Sequence, residues 1–365
     1  MEIILTIGAF IIGFILVMIS IPPIIRVANA KRLFEPFEER KIHTKIVPPM
    51  GGVAIFIGFT LSSIIATDGI SFDALKYIIA SVIIMFFIGL KDDLMNISAR
   101  KKLMVQIFAA VILITLGNVR FTNLHGILGT EEIGYVTSLI LSIFAMVVII
   151  NAFNLIDGID GLASALAMLA ATAFGIWFYI AGNTQFAILS FALVGSLAGF
   201  FIYNVFGHKN KLFMGDTGSL IIGLVISALV VNFNQFNIDN SIVNAVEAAP
   251  AVSFAIIIVP LVDTLRVMTI RIMNKKSPFL ADNNHIHHRL LELVPSHLKV
   301  TLIIVAFNAV VIAFALLLNQ LSFNINIQFL LVFILGVLFS LIPSIVLRVK
   351  TSEKIKEPKH IKQLN

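Results

Sequence analysis

The feature that most constrains this chain is a succession of continuous apolar runs, each 16 to 25 residues long. A membrane-spanning helix needs about 20 such residues. The chain has 365 residues, of which 59% are hydrophobic and 13% charged, whereas soluble domains carry roughly 25% charged residues. The runs also lack the alternation of barrel strands. The sequence therefore predicts an all-α polytopic membrane protein and excludes a soluble enzyme or a disordered chain.

Polar breaks divide the apolar runs into predicted spans. Residues 1–348 are predicted to form a single integral-membrane domain, and residues 349–365 a polar cytoplasmic tail. The first run continues without a small-residue cleavage site, which indicates an uncleaved span rather than a signal peptide. The eleven predicted spans are 3–27, 49–67, 74–90, 103–118, 136–155, 161–181, 185–206, 218–236, 250–271, 300–318 and 328–348.

Basic residues set the predicted orientation. Of the 26 Lys and Arg residues, 24 fall in loops on one side, and only Lys76 and Arg120 fall on the other. By the positive-inside rule the rich side is cytoplasmic, so we expect the amino terminus outside and the carboxyl terminus in the cytoplasm. The net charge of +6 is explained by this topology and by anionic headgroups; it does not indicate nucleic-acid binding.

Clusters of polar residues lie at the predicted cytoplasmic helix ends. GLKDD ends the third span with Asp92 and Asp93. Carboxylates at a membrane boundary are costly unless they meet a cation, so they mark a functional site by default. A solvated helix end paired with Lys91 or Arg100 is the alternative.

NAFNLIDGIDGLA joins the fifth and sixth spans with almost no loop. Asn151, Asn154 and Asp157 are three residues apart and share one helix face, and Asp160 follows. A tight turn needs only one Asp-Gly step, so the second, in apolar surroundings, favours convergence on a ligand or metal. A purely structural turn is the alternative.

KLFMGDTGSL places Asp216 between glycines at the start of the eighth span. Free backbone amides at a helix start bind phosphate, although Asp216 could simply be an N-cap. Counting Asp92, Asp93, Asp157 and Asp160, five mutually repelling carboxylates share one face. With oxygen ligands and no cysteine, Mg²⁺ is the expected cation, with Mn²⁺ as a substitute.

Two further loops carry cationic groups. DNNHIHHRLLEL, between the ninth and tenth spans, contains His285, His287, His288 and Arg289, which suit phosphates or sugar hydroxyls but match no zinc template. An amphipathic surface helix is the alternative. RKIHTKIVPPMGG contains His43 and ends in glycines that allow close backbone approach.

KIHTKIVPPMGG, GLKDD, NAFNLIDGIDGLA, FMGDTGS and HIHHRL, in this order, resemble the polyprenyl-phosphate N-acetylhexosamine-1-phosphate transferases. The pattern is most similar to the branch that uses UDP-GlcNAc and undecaprenyl phosphate in O-antigen, enterobacterial common antigen or teichoic-acid linkage synthesis. The peptidoglycan branch, phospho-N-acetylmuramoyl-pentapeptide transferase, has three consecutive histidines, and Ile286 interrupts that run here. Asn96 also replaces the third acid of the usual DDxxD.

The resemblance implies transfer of N-acetylhexosamine-1-phosphate from a UDP-sugar to undecaprenyl phosphate, with release of UMP. It places the Mg²⁺ ligands on Asp216 and Asn154. On this resemblance Asp92 would act as a general base or as a group that orients the acceptor, and a covalent phospho-aspartate intermediate is a further alternative. The implied catalytic residues are Asp92, Asp93, Asp157 and Asp216; the implied substrate-binding residues are Lys102, Asp160, His43, His285, His287, His288 and Arg289.

The implied location is a bacterial cytoplasmic (inner) membrane, with the active site on its cytoplasmic face. The expected partners are a UDP-N-acetylhexosamine, polyprenyl phosphate and the lipid bilayer, and the chain could form a homodimer. The alternative from another class is a multi-span transporter or flippase. Transporter sites lie near the bilayer midplane, whereas these acids lie at helix ends.

Overall fold

The structure is a computed structural model that describes residues 1–33, 47–67, 69, 71–207, 210–239, 241–275 and 284–356. Within these ranges the chain is almost entirely helical. The helices are α1 (Glu2–Lys31), α2 (Gly51–Ala66), α3 (Leu75–Met95), α4 (Ala99–Thr115), α5 (Tyr135–Ile156), α6 (Leu162–Ile180), α7 (Thr184–Phe206), α8 (Gly215–Phe236), α9 (Ala249–Ile256), α10 (Ile258–Met273), α11 (Ile286–Leu293), α12 (His297–Gln320) and α13 (Ile325–Lys356).

Helices lie at all eleven predicted spans, but fewer meet the length and hydropathy expected of a membrane crossing. In the described ranges seven helices meet them, or eight when the bent pair α9–α10 is taken as one span. The chain is therefore a multi-pass membrane protein, and eleven crossings stay a prediction. α13 runs through Lys356, into the segment that was predicted to be a polar tail.

α8 is the central helix, since nearly all of its residues are buried. It packs against α2, α3, α5 and α6. Gly223 allows the close contact with α5, because a Cβ there would lie 2.5 Å from Ile150 Cα. Exposed isoleucines and leucines instead cover α1 and α13, as expected for helices that face lipid.

The ninth predicted span is not one straight helix, which corrects the sequence prediction. α9 and α10 meet at Ile257 with a bend of 77°. Pro260 explains the break, because a proline ring clashes with the carbonyl four residues earlier, here that of Ile256. Asn308 of α12 donates to the Ile256 carbonyl at 3.1 Å and so satisfies a backbone group that the break exposes.

The loop between α4 and α5 contains a β-hairpin, which is an exception to the predicted all-α class. Strand β1 (Asn123–Ile127) pairs antiparallel with β2 (Thr130–Glu132). His125 Nε2 lies 2.9 Å from the carbonyl oxygen of Asn234, and Thr122 Oγ1 donates to Gln235 Oε1 at 2.9 Å. The hairpin therefore binds the carboxyl end of α8.

Candidate active site

The predicted site residues that the structure describes gather on one face of the bundle, called the motif face below. α3 and α5 end there, while α4, α8 and α12 begin there. Asp93 and Asp216, for example, are 123 residues apart in the sequence but share a hydrogen bond. The opposite face carries the hairpin.

Lys102, in the first turn of α4, connects two of the acidic motifs. Its Nζ lies 3.1 Å from Asp216 Oδ2 and also contacts Asp92 Oδ2. The other oxygen of Asp92 accepts the backbone N–H of Ile97 at 2.5 Å. One ammonium group therefore bridges two carboxylates from different helices, which is how carboxylates at a membrane boundary become tolerable.

Asp93 caps α8 from a neighbouring helix. Its Oδ1 accepts the backbone N–H of Asp216 at 2.7 Å, and its Oδ2 accepts the backbone N–H of Thr217 at 3.0 Å. The Thr217 hydroxyl donates to the same oxygen at 2.5 Å. These bonds satisfy donors that a helix start leaves free. Asp93, which the sequence predicts to be catalytic, thus supports the helix that carries Asp216. Asp93, rather than Asp216, supplies the cap of α8.

Two glycines let other helices approach the start of α8. A Cβ on Gly52 would lie 2.2 Å from the backbone nitrogen of Gly218, and one on Gly89 would lie 2.4 Å from Thr217 Cα. Both distances are far below a van der Waals contact with backbone atoms. α2 and α3 therefore touch this turn of α8 directly, as the glycine pair of the first motif led us to expect for α2.

The same region contains backbone pairing between two motifs. The N–H groups of Gly51 and Gly52 donate to the carbonyls of Phe213 and Met214 at 2.8 and 2.9 Å. The Phe213 N–H donates in turn to the Pro48 carbonyl at 3.1 Å. The PPMGG and FMGD segments therefore form one backbone unit beside Asp216.

The two asparagines of α5 point to different partners. The Nδ2 of Asn154 donates to Ser219 Oγ at 2.9 Å and also contacts Asp216 Oδ1. Asn151 pairs instead with Gln106 of α4 through amide hydrogen bonds, one of them 2.7 Å long. The structure thus brings together the predicted metal pair, Asn154 and Asp216. Asn151 fixes α5 against the helix that carries Lys102.

Asp157, at the carboxyl end of α5, is an acid without a cation. No hydrogen bond among the described residues reaches its carboxylate. Burial raises the pKa of this carboxyl to about 7, and the nearby charges of Asp216, Asp93 and Asp160 act in the same direction. Without a cation, the Asp157 carboxyl therefore keeps its proton to a higher pH than an ordinary aspartate does.

Asp160 is in the opposite situation, because cationic partners surround it. Lys211 Nζ lies 2.6 Å and His297 Nδ1 2.9 Å from its Oδ2. Burial opposes ionisation of Asp160, but the hydrogen bonds from His297 and Lys211 outweigh it and hold the pKa of the carboxyl below its ordinary value. Asp160 is therefore an ionised anchor between three segments of the motif face.

The histidine motif forms the short helix α11 and packs against the Asp-Gly turn. His287 is fully buried, and a Cβ on Gly158 would lie 2.1 Å from its Nε2. Neither ring nitrogen accepts or donates a hydrogen bond within the described residues. Burial, followed by the charges of His288 and His285, keeps the pKa of His287 well below its ordinary value, so the ring is neutral at pH 7.

The other residues of this motif lie around His287. The ring centroid of His288 is 4.2 Å and that of His285 5.5 Å from the His287 ring. Arg289 contacts the side-chain oxygen of Asn284, and its NH1 lies 3.3 Å from Glu292. The structure therefore places all four predicted residues of this motif beside the Asp157–Gly158 turn or on the helix that packs there.

Sequence reasoning missed three polar residues that support the site: Gln106, Lys211 and Asp263. Lys211 was counted only as part of the positive-inside signal. Asp263 is a buried acid inside an apolar span, and such an acid is itself a signal of function. Gln106 is a buried amide in another span and could have been recognised in the same way.

His43 and a complete set of protein metal ligands are both absent from the described part of the site. His43, predicted to bind substrate, lies outside the described residues. In the part of the chain that is described, no group of three or more His, Asp or Glu side chains is arranged to hold a metal ion. Asp216 and Asn154 are in contact, but any ion between them needs further ligands from water or substrate.

Comparisons with known proteins identify the family of the chain. The family model described as glycosyl transferase family 4 matches residues 75–234. A probable undecaprenyl-phosphate N-acetylglucosaminyl 1-phosphate transferase of Bacillus subtilis (strain 168) is 31% identical over 338 residues, which cover 92% of this chain and 91% of that protein.

Two other relatives have related names. A decaprenyl-phosphate N-acetylglucosaminephosphotransferase of Mycolicibacterium smegmatis is 32% identical over 73% of this chain and 70% of its own length. An undecaprenyl-phosphate alpha-N-acetylglucosaminyl 1-phosphate transferase of Escherichia coli (strain K12) is 30% identical over 73% of this chain and 71% of its own length. The chain therefore belongs to glycosyl transferase family 4, the superfamily of polyprenyl-phosphate N-acetylhexosamine-1-phosphate transferases that its motifs resemble.

Proposed function

We propose that this protein transfers GlcNAc-1-phosphate from UDP-GlcNAc to a polyprenyl phosphate, undecaprenyl phosphate in a bacterial membrane. An oxygen of the acceptor phosphate bonds to the β-phosphorus of the donor while the bond from that phosphorus to the bridging oxygen breaks. The electron pair leaves with UMP, and the product is lipid-diphosphate-GlcNAc. The Lys102 ammonium between Asp92 and Asp216 is the observation that carries this proposal, since it provides a cation where two phosphate groups must meet.

We propose Mg²⁺ as the cofactor, with Mn²⁺ as a substitute. The residues fit, because Mg²⁺ takes one or two carboxylates and completes its shell with water and phosphate oxygens. Asp216 and Asn154 would hold it, and an ion there would favour the ionised form of the nearby Asp157. When bound, the ion would offset the charge of the donor diphosphate.

The contacts of Asp92 favour an orienting role over proton removal. A phosphate monoester has a second pKa near 6, so most of the acceptor is already dianionic at pH 7 and needs no base. Asp92 holds Lys102 on one oxygen and the Ile97 N–H on the other. It is therefore placed to aim the ammonium group at the phosphates.

The histidine motif is assigned to the donor. α11 packs on the Asp157–Gly158 turn through His287, which is fully buried there. The same helix carries His288 and Arg289, which are partly exposed. The phosphates, sugar hydroxyls and uridine of a donor could therefore reach these two side chains, while His287 supports the turn by packing.

We also propose that the motif face is cytoplasmic and that the membrane is the bacterial inner membrane. A reporter fused to the carboxyl terminus should be cytoplasmic, and one inserted between Leu128 and Gly129 of the hairpin should be external. Finding both reporters on one side would contradict this orientation. A homodimer stays a prediction, which the mass of the protein in lipid nanodiscs would test.

The deciding experiment measures UMP release by the purified protein supplied with UDP-GlcNAc, undecaprenyl phosphate and Mg²⁺. Asp216→Ala should abolish turnover and its dependence on Mg²⁺. Asp239→Ala, which removes an exposed carboxylate that hydrogen-bonds Ser241, should leave both unchanged. Turnover of Asp216→Ala within about threefold of wild type would refute the metal assignment. UMP release only with UDP-MurNAc-pentapeptide would instead assign the protein to the peptidoglycan branch.

A further inference from the structure

Asp263 lies outside every motif discussed so far, in the bent half-span α10. Its side chain is 2% exposed. A buried carboxylate is costly unless it is hydrogen-bonded and paired, so its partners indicate why it is present. Its Oδ2 lies 2.8 Å from His285 Nδ1, and its Oδ1 accepts the backbone N–H of Ile286 at 2.8 Å.

A simple ion pair within α10 does not explain these contacts. Arg266, one turn along, lies 3.8 Å from Asp263 Oδ1. Its shorter bonds are to the Asn284 carbonyl at 2.7 Å and to Ser344 Oγ at 2.8 Å. Asp263 and Arg266 thus both bind residues 284–286, where α11 begins. The polar side of α10 is used to hold the histidine motif.

The Asp263 carboxylate also favours one tautomer of the His285 ring. An ionised carboxylate only accepts hydrogen bonds, so the hydrogen of the imidazole must be on Nδ1. Nε2 is then a lone-pair acceptor in the neutral ring and a donor in the charged ring. Within the described residues no hydrogen bond reaches this Nε2.

We propose that Asp263 is a positioning residue for the sugar-nucleotide donor. It holds His285 with the hydrogen on Nδ1 and fixes the start of α11, so that His287 lies against Gly158. This inference rests on the proposed function, in which the histidine motif binds the donor.

The first test is a double-mutant cycle of Asp263→Asn and His285→Ala. In the Asn variant the amide oxygen keeps the Ile286 N–H, so the amide NH₂ faces the ring and forces the hydrogen to Nε2. We expect the KM for UDP-GlcNAc to rise roughly ten- to a hundredfold, the range for losing a hydrogen bond to a charged group. The KM for the lipid acceptor should stay within about twofold.

The cycle separates positioning from a general structural role. If Asp263 acts through His285, adding Asp263→Asn to His285→Ala should change the donor KM by less than about twofold. Equal factors in both backgrounds, or an unchanged donor KM in the single variant, would overturn the proposal. Thr269→Val is the matched control, because it removes an exposed hydroxyl of α10 that bonds the Leu265 carbonyl of the same helix, and its donor KM should match wild type.

A second measurement depends neither on Asp263→Asn nor on the donor. ¹⁵N NMR of histidine-labelled wild-type protein reports which ring nitrogen carries hydrogen, and His285→Ala identifies the signal among the eight histidines. Hydrogen on Nδ1 is expected, and a bare Nδ1 would overturn the proposal even if Asp263→Asn fails to fold. A protein that releases no UMP from UDP-GlcNAc would refute the proposed function, while this spectrum would still test the Asp263–His285 pair.

Discussion

Gly52→Ala should disable the site without adding or removing any charge. The new Cβ would lie 2.2 Å from the backbone nitrogen of Gly218, about 1 Å inside the closest ordinary contact. Backbone cannot rotate away as a side chain can, so α2 and α8 must separate. Overpacking of this kind costs about 1–3 kcal/mol of stability.

The effect on catalysis should be larger than the effect on stability. The displaced turn of α8 carries Asp216, and its Thr217 bonds to Asp93 are 3.0 and 2.5 Å long. A 1 Å shift therefore breaks the cap and moves the proposed metal ligand away from Lys102. Misplacement by about 1 Å can cost about 100-fold in rate, so kcat for UMP release should fall by roughly that factor.

The assay compares kcat and thermal unfolding for Gly52→Ala, Gly89→Ala and Gly8→Ala. A Cβ on Gly89 of α3 would lie 2.4 Å from Thr217 Cα, so Gly89→Ala should cause the same loss of kcat. A Cβ on Gly8 would have no neighbour within 4 Å. Gly8→Ala should therefore match wild type. A folded Gly52→Ala protein with kcat within twofold of wild type would refute the idea that close packing positions the site.

Three further outcomes are expected. Lys102→Met should lower kcat at least 100-fold, because Asp92 and Asp216 lose their shared cation. Lys101 is an exposed neighbour, so Lys101→Met should leave kcat within twofold of wild type. Equal losses of kcat in the two variants would contradict this prediction. Arg289→Ala should raise the KM for UDP-GlcNAc by tenfold or more and leave the Mg²⁺ requirement unchanged. An altered Mg²⁺ requirement with an unchanged KM for UDP-GlcNAc would instead indicate that α11 acts at the metal site. In EDTA, the melting temperature of the wild type relative to Asp157→Asn should fall as pH rises from about 4 to about 7, because Asp157 binds its proton more tightly in the folded protein (pKa about 7) than in the unfolded chain; a difference between the two proteins that does not change with pH would contradict the assignment.

The sequence predicted which polar residues would lie close together, because they occur at helix ends in an otherwise apolar chain. Where helices reverse across a membrane, such ends must share a face, and Asn154 does contact Asp216. Lys102 was implied only by the family resemblance, and its contacts with Asp92 and Asp216 come from the structure. Individual roles depend on side-chain direction, which spacing alone does not give. Asp93 therefore appeared equivalent to Asp92. In the structure Asp93 caps α8, whereas Asp92 binds Lys102.

Other features depend on contacts between distant segments. Pro260 marks a break in the ninth span, and Asn308, from another helix, satisfies backbone groups at the bend. Periodicity carries no information about that partner. Asn151 was grouped with the ligand-binding residues because its partner, Gln106, lies 45 residues earlier in a span without any motif. The hairpin was missed because its strands are short and polar.

The hairpin and the Asp93 cap hold α8 at opposite ends. With 22 residues, α8 is about 33 Å long at 1.5 Å per residue, close to the thickness of the hydrocarbon core. Its carboxyl end is tied to β1, and its amino end to α3. Sliding of α8 along its own axis would stretch hydrogen bonds at both ends at once. The height of Asp216 relative to the lipid headgroups is therefore set partly from the other side of the bilayer, by residues that never meet a substrate.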